Sequence, residues 1–329
     1  MDILFLTSTL PRYHNDNQAP FVLEQALAWK KACPQDHIHV LAPHDVGAKY
    51  EEELKGVFIH RFGYWWPRRW QKLAYPAILP NIRKNPLLLI QLPAFLFSEF
   101  LTACQLIKKT QIGLLYAHWV VPQGLVVFAI NKLLGVPYVL QNHSSDLRIF
   151  HKFHFLGKWM ARLIIRYSRC LFCVNETLRR EALGFFPPIQ HPDVSNKISV
   201  MPMGIYFADA QQINSDSQYQ YDFGFIGRLS KKKGVDFFIQ ALKELKKRRI
   251  LFKAAVAGDG EEKNHLVRMA TDVNVEFLGF VSNREKINFF NQIKFCIFPS
   301  RATKGDVEGL PVVLLEALYL GKIVVASRD

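Results

Sequence analysis

Cysteine is too sparse and too scattered here to supply a disulfide framework. The chain has five, an odd number, a usage that suits a reducing compartment. Cys170 and Cys173 make one Cys-x-x-Cys, but they flank Leu171-Phe172 in a predicted strand. Residues three apart on a strand point to opposite faces, so the pair reads as small buried hydrophobes and not as metal ligands. Low-complexity runs, short repeats and coiled-coil periodicity are also lacking. The N-terminus enters the apolar run 3–6 directly, without a basic leader or a small-residue cleavage site. No signal peptide is expected, and the expected location is cytoplasmic. Gly321-Lys322 continues with Ile323 rather than Ser or Thr, so it does not make a Walker phosphate loop.

Acidic residues are in short supply. Against 42 Lys and Arg stand 28 Asp and Glu, a formal charge of +14. Such a balance calls for nucleic acid, an anionic membrane or a phosphorylated substrate. No zinc-finger or RNP-type motif is present, and the cations fall beside candidate ligand loops, so nucleic acid is not the expected partner. The segment 87–107 is apolar, but it carries Gln91, Pro93, Ser98, Glu99 and Gln105. A buried Glu is costly in lipid, and the segment reads as an amphipathic or core helix.

What is present is alternation. At 329 residues the chain exceeds one comfortable core, so two domains are expected. Short apolar runs at 3–7, 38–42, 57–61, 112–117, 137–141, 171–174 and 198–201 alternate with helical patterns at 21–32, 123–134, 155–168 and 176–183. Residues 205–221 turn to Asn, Gln, Ser, Asp and Tyr and read as a linker. A second series follows: strands 222–226, 252–257, 275–278, 294–298 and 322–326, with helices 235–248, 261–270, 283–291 and 311–320. The fold class is α/β, with two doubly wound, Rossmann-like domains (1–204 and 222–329) facing a cleft.

In parallel sheets, ligands bind beyond the carboxyl ends of the strands. Those positions carry His118, His143, Asp146, Arg228, Ser300 and Arg301. The loop from Gly227 through Arg228, Lys233 and Gly234 leaves a strand and enters a helix. Cations beside a helix N-terminus make an anion site, because free N–H groups and the dipole add to the side-chain charge. The alternative for this loop is a solvated basic turn. Further on, Pro311 suits a first helical turn, and Gly309 lets a ligand approach the backbone. Glu316 falls in a helix apolar nearly all round, a buried charge that needs strong partners. A ribose diol or a structural arginine would serve.

The run Gly227-Arg228-Leu229, then Lys233-Gly234, then Glu308 with seven residues before Glu316, resembles the family-4 retaining glycosyltransferases of GT-B fold. His118-Trp119-Val120-Val121-Pro122-Gln123-Gly124 is similar to that family's His-Trp-x-x-Pro-x-Gly, and His143-Ser144-Ser145-Asp146 to its His-Gly-Ser-Asp. The resemblance implies transfer, with retention, of a hexose from a nucleotide-diphosphate sugar to a saccharide acceptor in surface polysaccharide assembly. Arg228 and Lys233 would grip the diphosphate and stabilise its departure. Glu316 would hold the ribose, and Glu308 would lie by the transferred sugar, with Gly309 and Leu310 offering backbone N–H groups. Gly258 would border the base, and His118, His143 and Asp146 would face the sugar or acceptor. No cofactor is implied, and no Asp-x-Asp is present to hold a metal; cations and helix ends take its place. The chain departs from the family in having no glycine in 15–20. It also ends at Asp329, just after a strand, so the second domain is expected to be incomplete.

Lys158, Arg162 and Arg166, spaced by four, form one helical stripe, with Phe155, Trp159, Leu163 and Ile164 expected on another face. Tyr64-Trp65-Trp66-Pro67-Arg68-Arg69-Trp70 interleaves aromatics with arginines. Both suit an anionic headgroup layer, which points to peripheral attachment to an inner leaflet and a lipid-linked acceptor. Readings kept beside this one are a non-catalytic remnant of the same family, a basic nucleic-acid- or membrane-binding protein, and a nucleotide-sugar epimerase; a phosphorylase is disfavoured, because no lysine and glycine context for a pyridoxal-phosphate Schiff base stands out.

Overall fold

The structure, a computed structural model, describes residues 1–13, 16, 20–143, 145–205, 219–281, 283–302 and 311–327. The chain divides into two compact units, Met1–Tyr206 and Phe207–Asp329.

The first unit runs β1 (Asp2–Leu6), α1 (Pro20–Ala32), β2 (His37–Pro43), β3 (Glu51–Leu54), β4 (Val57–Phe62), α2 (Ile78–Lys84) and α3 (Leu92–Thr110). It continues through β5 (Leu114–His118), α4 (Gln123–Leu134), β6 (Tyr138–Asn142), α5 (His154–Tyr167), β7 (Leu171–Cys173), α6 (Glu176–Leu183), α7 (His191–Ser195) and β8 (Ile198–Val200). The eight strands lie in the order β3-β4-β2-β1-β5-β6-β7-β8, parallel except for the β3–β4 pair. Ile3 through Leu6 are wholly buried, as a central strand covered on both faces must be. One face packs Ile3, Phe5, Ile38 and Val40 against Val22 and Ala26 of α1.

Strand β3 has no apolar alternation to announce it. It exists because Lys55 and Gly56, at φ 50° and 81°, make the two-residue turn that folds a strand back on its neighbour.

The second unit runs β9 (Tyr221–Ile226), α8 (Val235–Lys247), β10 (Ala254–Ala257), α9 (Lys263–Met269), β11 (Val275–Gly279), α10 (Asn283–Gln292), β12 (Ile293–Phe298), α11 (Val312–Tyr319) and β13 (Ile323–Ala326). All its pairings are parallel, in the order β11-β10-β9-β12-β13. Helix α8 shows the logic: Val235, Phe238, Ile239 and Leu242 recur at helical spacing and are buried, each large side chain contributing about 1.5–3 kcal/mol. The predicted alternation and both Rossmann-like sheets are present.

Two expectations need correction. Helix α11 was expected to be buried all round, yet Leu318 and Tyr319 are exposed, as are Ile323 and Val325 of the edge strand β13. Among the described residues the outer side of α11 stays open at Leu318 and Tyr319, so apolar composition alone did not bury it. The predicted strand at 252–257 begins only at Ala254. Most of the expected linker, and Glu308, Gly309 and Leu310, lie outside the described residues.

Candidate active site

In the second unit, β9 is central, with β10 and β12 on either side. The chain moves one way along the sheet from β9 and returns on the other side at β12. Such a reversal opens a crevice at the carboxyl ends of the strands. Arg228 leaves β9 into that crevice, followed by the tight turn Lys231–Lys233 and then α8. Gly234 sits at φ 64°, and a Cβ there would stand 1.9 Å from the carbonyl oxygen of Pro299. Only glycine permits this loop to lie against the end of β12.

Arg301, just past β12, fixes the contact from the other side. Its N–H donates to Lys232 O at 2.9 Å, its Nε donates to Lys231 O at 3.0 Å, and its guanidinium pairs with Asp236 at 3.0 Å. Arg301 is therefore a brace of the loop. Gly258 plays a similar part after β10: a Cβ would lie 1.9 Å from Gly227 O, so the β9 and β10 loops meet backbone to backbone.

Arg228 is exposed, and its Nη2 lies 3.1 Å from Glu261 Oε2. An exposed pair of this kind contributes little to stability, which leaves the guanidinium available to a stronger anion. Lys233 is half-buried in the same turn. Glu316 is buried in α11, as expected of it, but its partner is a lysine: Lys286 Nζ of α10 donates to Oε1 at 2.5 Å. Among the described residues Glu316 Oε2 has no hydrogen-bond partner. Lys286 carries no local signal in the sequence; only the packing of α10 on α11 reveals it.

In the first unit the reversal lies between β1 and β5. His118 ends β5 with no exposure. Its Nδ1 lies 2.9 Å from Nε2 of His143, and the rings stack with centroids 5.2 Å apart. Burial holds His143 down to about 3, and burial, with His143 beside it, holds His118 well below the ordinary range. Both rings are neutral at pH 7, and one donates to the other. Nε2 of His118 and both amide atoms of Asn142 are buried without partners among the described residues. Asp146 is not an outward-facing contact: it is buried, and its Oδ2 accepts from Val120 N at 2.6 Å, pinning the turn that follows His118.

Beneath this pair lies a support that sequence reasoning did not find. In the orientation that satisfies both ends of its amide, Gln123 donates to His118 O and accepts from Ser8 N, each at 3.1 Å. Gln123 thus ties β5 to the end of β1. Its amide also lies 3.4 Å from the carboxyl of Glu99, whose burial pushes it up to about 8.

The expected basic stripe on α5 is reduced. Lys158 and Arg166 are exposed, but Arg162 is half-buried and its Nε donates to Phe185 O. Phe155 and Trp159, expected on a separate face, are exposed with the lysine, while Gly157, Ala161, Ile164 and Ile165 form the buried side.

Two parallel-sheet units, each with polar side chains gathered where its strand order reverses, are the architecture of the GT-B glycosyltransferases. Residues 21–207 match the family described as Glycosyltransferase Family 4, and residues 208–329 match Glycosyl transferases group 1; the chain belongs to Glycosyltransferase Family 4. An uncharacterized glycosyltransferase of Methanocaldococcus jannaschii, MJ1178, is 25% identical over 242 residues, covering 71% of this chain and 61% of the relative. A GDP-mannose-dependent monoacylated phosphatidylinositol monomannoside mannosyltransferase of Corynebacterium glutamicum is 37% identical over 106 residues, covering 31% of this chain and 28% of the relative. The chain thus spans under two thirds of the length of either. Among solved structures, sucrose-phosphate synthase of Thermosynechococcus elongatus superposes with a TM-score of 0.67 at 15% identity, over 99% of this chain and 80% of that one.

Proposed function

We propose that this chain carries the donor and acceptor sites of a retaining glycosyltransferase that needs no divalent ion. It moves a hexose from a nucleoside-diphosphate sugar to a lipid-linked saccharide during surface polysaccharide or glycolipid assembly. The observation that carries the reading is the loop from Arg228 to Gly234, which brings a guanidinium and a lysine to the central strand's carboxyl end, ahead of a thirteen-residue helix. As the glycosidic bond breaks, negative charge grows on the diphosphate. Arg228, Lys233 and the helix start oppose that charge where a metal would otherwise stand. Glu316, with one oxygen held by Lys286 and the other without a partner among the described residues, accepts from the ribose hydroxyls. By the family resemblance alone, Glu308 is assigned to the transferred sugar, Gly309 and Leu310 to backbone N–H donation, and Gly258 to the base.

On the other unit, Nε2 of the neutral His118 and the amide of Asn142, without partners among the described residues, supply the polar edge that meets sugar or acceptor hydroxyls. The lipid-linked acceptor is supported by the named acceptor of the Corynebacterium relative and by the outward Phe155, Lys158 and Trp159 of α5. The free thiols and the nucleotide donor suit the cytoplasmic side of a membrane.

Calorimetric titration of the full-length protein with UDP and GDP, beside a transfer assay in chelator, tests the reading. Arg228→Ala should weaken binding of whichever nucleotide binds by at least about tenfold, the loss of one charge-assisted contact of about 1.5–3 kcal/mol. Turnover should persist in chelator. Unchanged nucleotide affinity, or turnover that chelator abolishes and manganese restores, would overturn it.

A further inference from the structure

Helix α3 is turned the wrong way round for a helix in water. Its buried stripe is Phe95, Glu99, Ala103 and Leu106, so its one carboxyl faces the core. Its outward stripe begins in the preceding turn Pro86–Gln91 with Leu87 at 77% exposure and Ile90 at 67%, and continues through Phe97 at 62% to Leu101. Past Leu101 that side becomes polar, with the exposed Gln105 and then Lys108 and Lys109. Residues Pro86–Thr110 are apolar enough to pass for a membrane span, yet α3 packs on β2, β4 and α4 and is a wall of the first unit.

The turn Arg68–Trp70 is stitched to this surface. Gln91 Nε2 donates to Trp70 O at 2.7 Å, and Gln91 Oε1 accepts from Lys72 N at 3.3 Å. Trp66, at 81% exposure, and Trp70 stand open there. Soluble monomers rarely leave so many large apolar side chains uncovered together.

The charge around the patch says what covers it. From Phe62 to Ser98 the sequence has no Asp or Glu, but it has Arg68, Arg69, Lys72, Arg83 and Lys84, all exposed. A second copy packed on the same face would bring two such sets of cations together, which argues against a symmetric dimer. Trp and Arg beside a shallow aliphatic surface are the chemistry of the lipid headgroup boundary.

Topology gives the orientation. Helix α3 leaves the carboxyl edge of the sheet after β4 and descends to β5, so its apolar turns lie at that edge and its lysines at the far one. The exposed Phe153, Phe155 and Leu156 at the start of α5, after β6, lie at the same edge. Helix α4 runs between α3 and α5, and His118 ends the strand that precedes it. We infer that the first unit sits on an anionic lipid bilayer through Trp66, Trp70, Leu87, Ile90, Phe97 and their flanking arginines. The carboxyl edge bearing His118 then faces the headgroups. Only the functional meaning of this docking rests on the lipid-linked acceptor; the binding itself needs neither donor nor acceptor.

Co-sedimentation of the full-length protein with vesicles tests the inference, using phosphatidylcholine mixed with phosphatidylglycerol against phosphatidylcholine alone. Binding should require the anionic lipid. Arg68→Ser and Arg69→Ser should each lower vesicle affinity about fivefold. Trp66→Ser combined with Phe97→Ser should abolish sedimentation, with circular dichroism and melting unchanged. Lys158→Glu should weaken binding without abolishing it. No binding by the unmodified protein, loss of a dimer in Trp66→Ser with Phe97→Ser, or binding lost with Lys158→Glu but kept in that double variant would each overturn the inference. Melting strongly lowered in the double variant with sedimentation intact would assign the patch to another segment of the chain, and would overturn it equally. Nucleotide titration on the same samples keeps a failure here distinct from a failure of the transfer reading.

Discussion

Glu316 and Lys286 meet at 2.5 Å with both side chains largely removed from water. Desolvating two charges is costly, and their attraction offsets the cost only while both remain. Lys286→Met should therefore destabilise the second unit by about 3–5 kcal/mol, since it strands a buried carboxylate. Adding Glu316→Leu should recover most of that, with nucleotide binding lost. Urea unfolding read on the second unit measures both, and a loss under about 1 kcal/mol in the single variant would mean that water reaches the carboxylate. The double variant separates two roles that one residue carries in this reading, stability through Oε1 and ribose contact through Oε2.

Among the elements, α3 holds the least conventional group. Glu99 keeps its proton to about pH 8, whereas in an unfolded chain a glutamic acid releases it near about 4.3. Between those limits the native state binds the extra proton, so stability falls as pH rises, by up to about 1.4 kcal/mol per pH unit. Below that window the carboxyl is protonated in both states and contributes no slope. Glu99→Gln keeps the shape and removes the titration; its urea midpoint should exceed that of the parent at pH 8 and converge with it only below about pH 4. Parallel profiles would show that the carboxyl is already ionised in the native chain.

This element also shows where sequence reading stops. The run 87–107 with its internal Glu was legible as a helix, and so were α4 and α6, whose predicted bounds at 123–134 and 176–183 are those observed. What decides Glu99's state is its complete burial under α4, whose Gln123 lies 24 residues away, and no local pattern encodes that packing. The same holds for Lys286 beneath Glu316, thirty residues apart, and for Arg162, whose spacing promised an outward cation until Phe185 O claimed it. Strand β3 escaped for a different reason: Glu-Glu-Glu-Leu pairs at an edge through backbone groups that any side chain permits. Strand-end residues such as His118 and Arg228 were legible because a parallel sheet puts ligands at one edge, whatever the rest of the chain does.

At the scale of the whole molecule, the two units have separate cores, one between the eight-stranded sheet and its helices, the other around Phe225, Phe238, Phe289 and Phe290. In the reading proposed, the nucleotide touches only the second of these. A ligand that binds the native form of one unit stabilises that unit by mass action, by about 2.7 kcal/mol at a hundred times its dissociation constant. Scanning calorimetry of the full-length protein should therefore resolve unfolding of the second unit as the nucleotide-sensitive step, with its midpoint raised by saturating nucleoside diphosphate. Anionic vesicles should raise the other midpoint instead, since Trp66, Leu87 and Phe97 belong to the first unit. Arg228→Ala should remove the first effect and leave the second. A single transition raised equally by either ligand would mean that the units unfold as one body, and the assignment of phosphate to one and lipid to the other would then have to be read from binding alone.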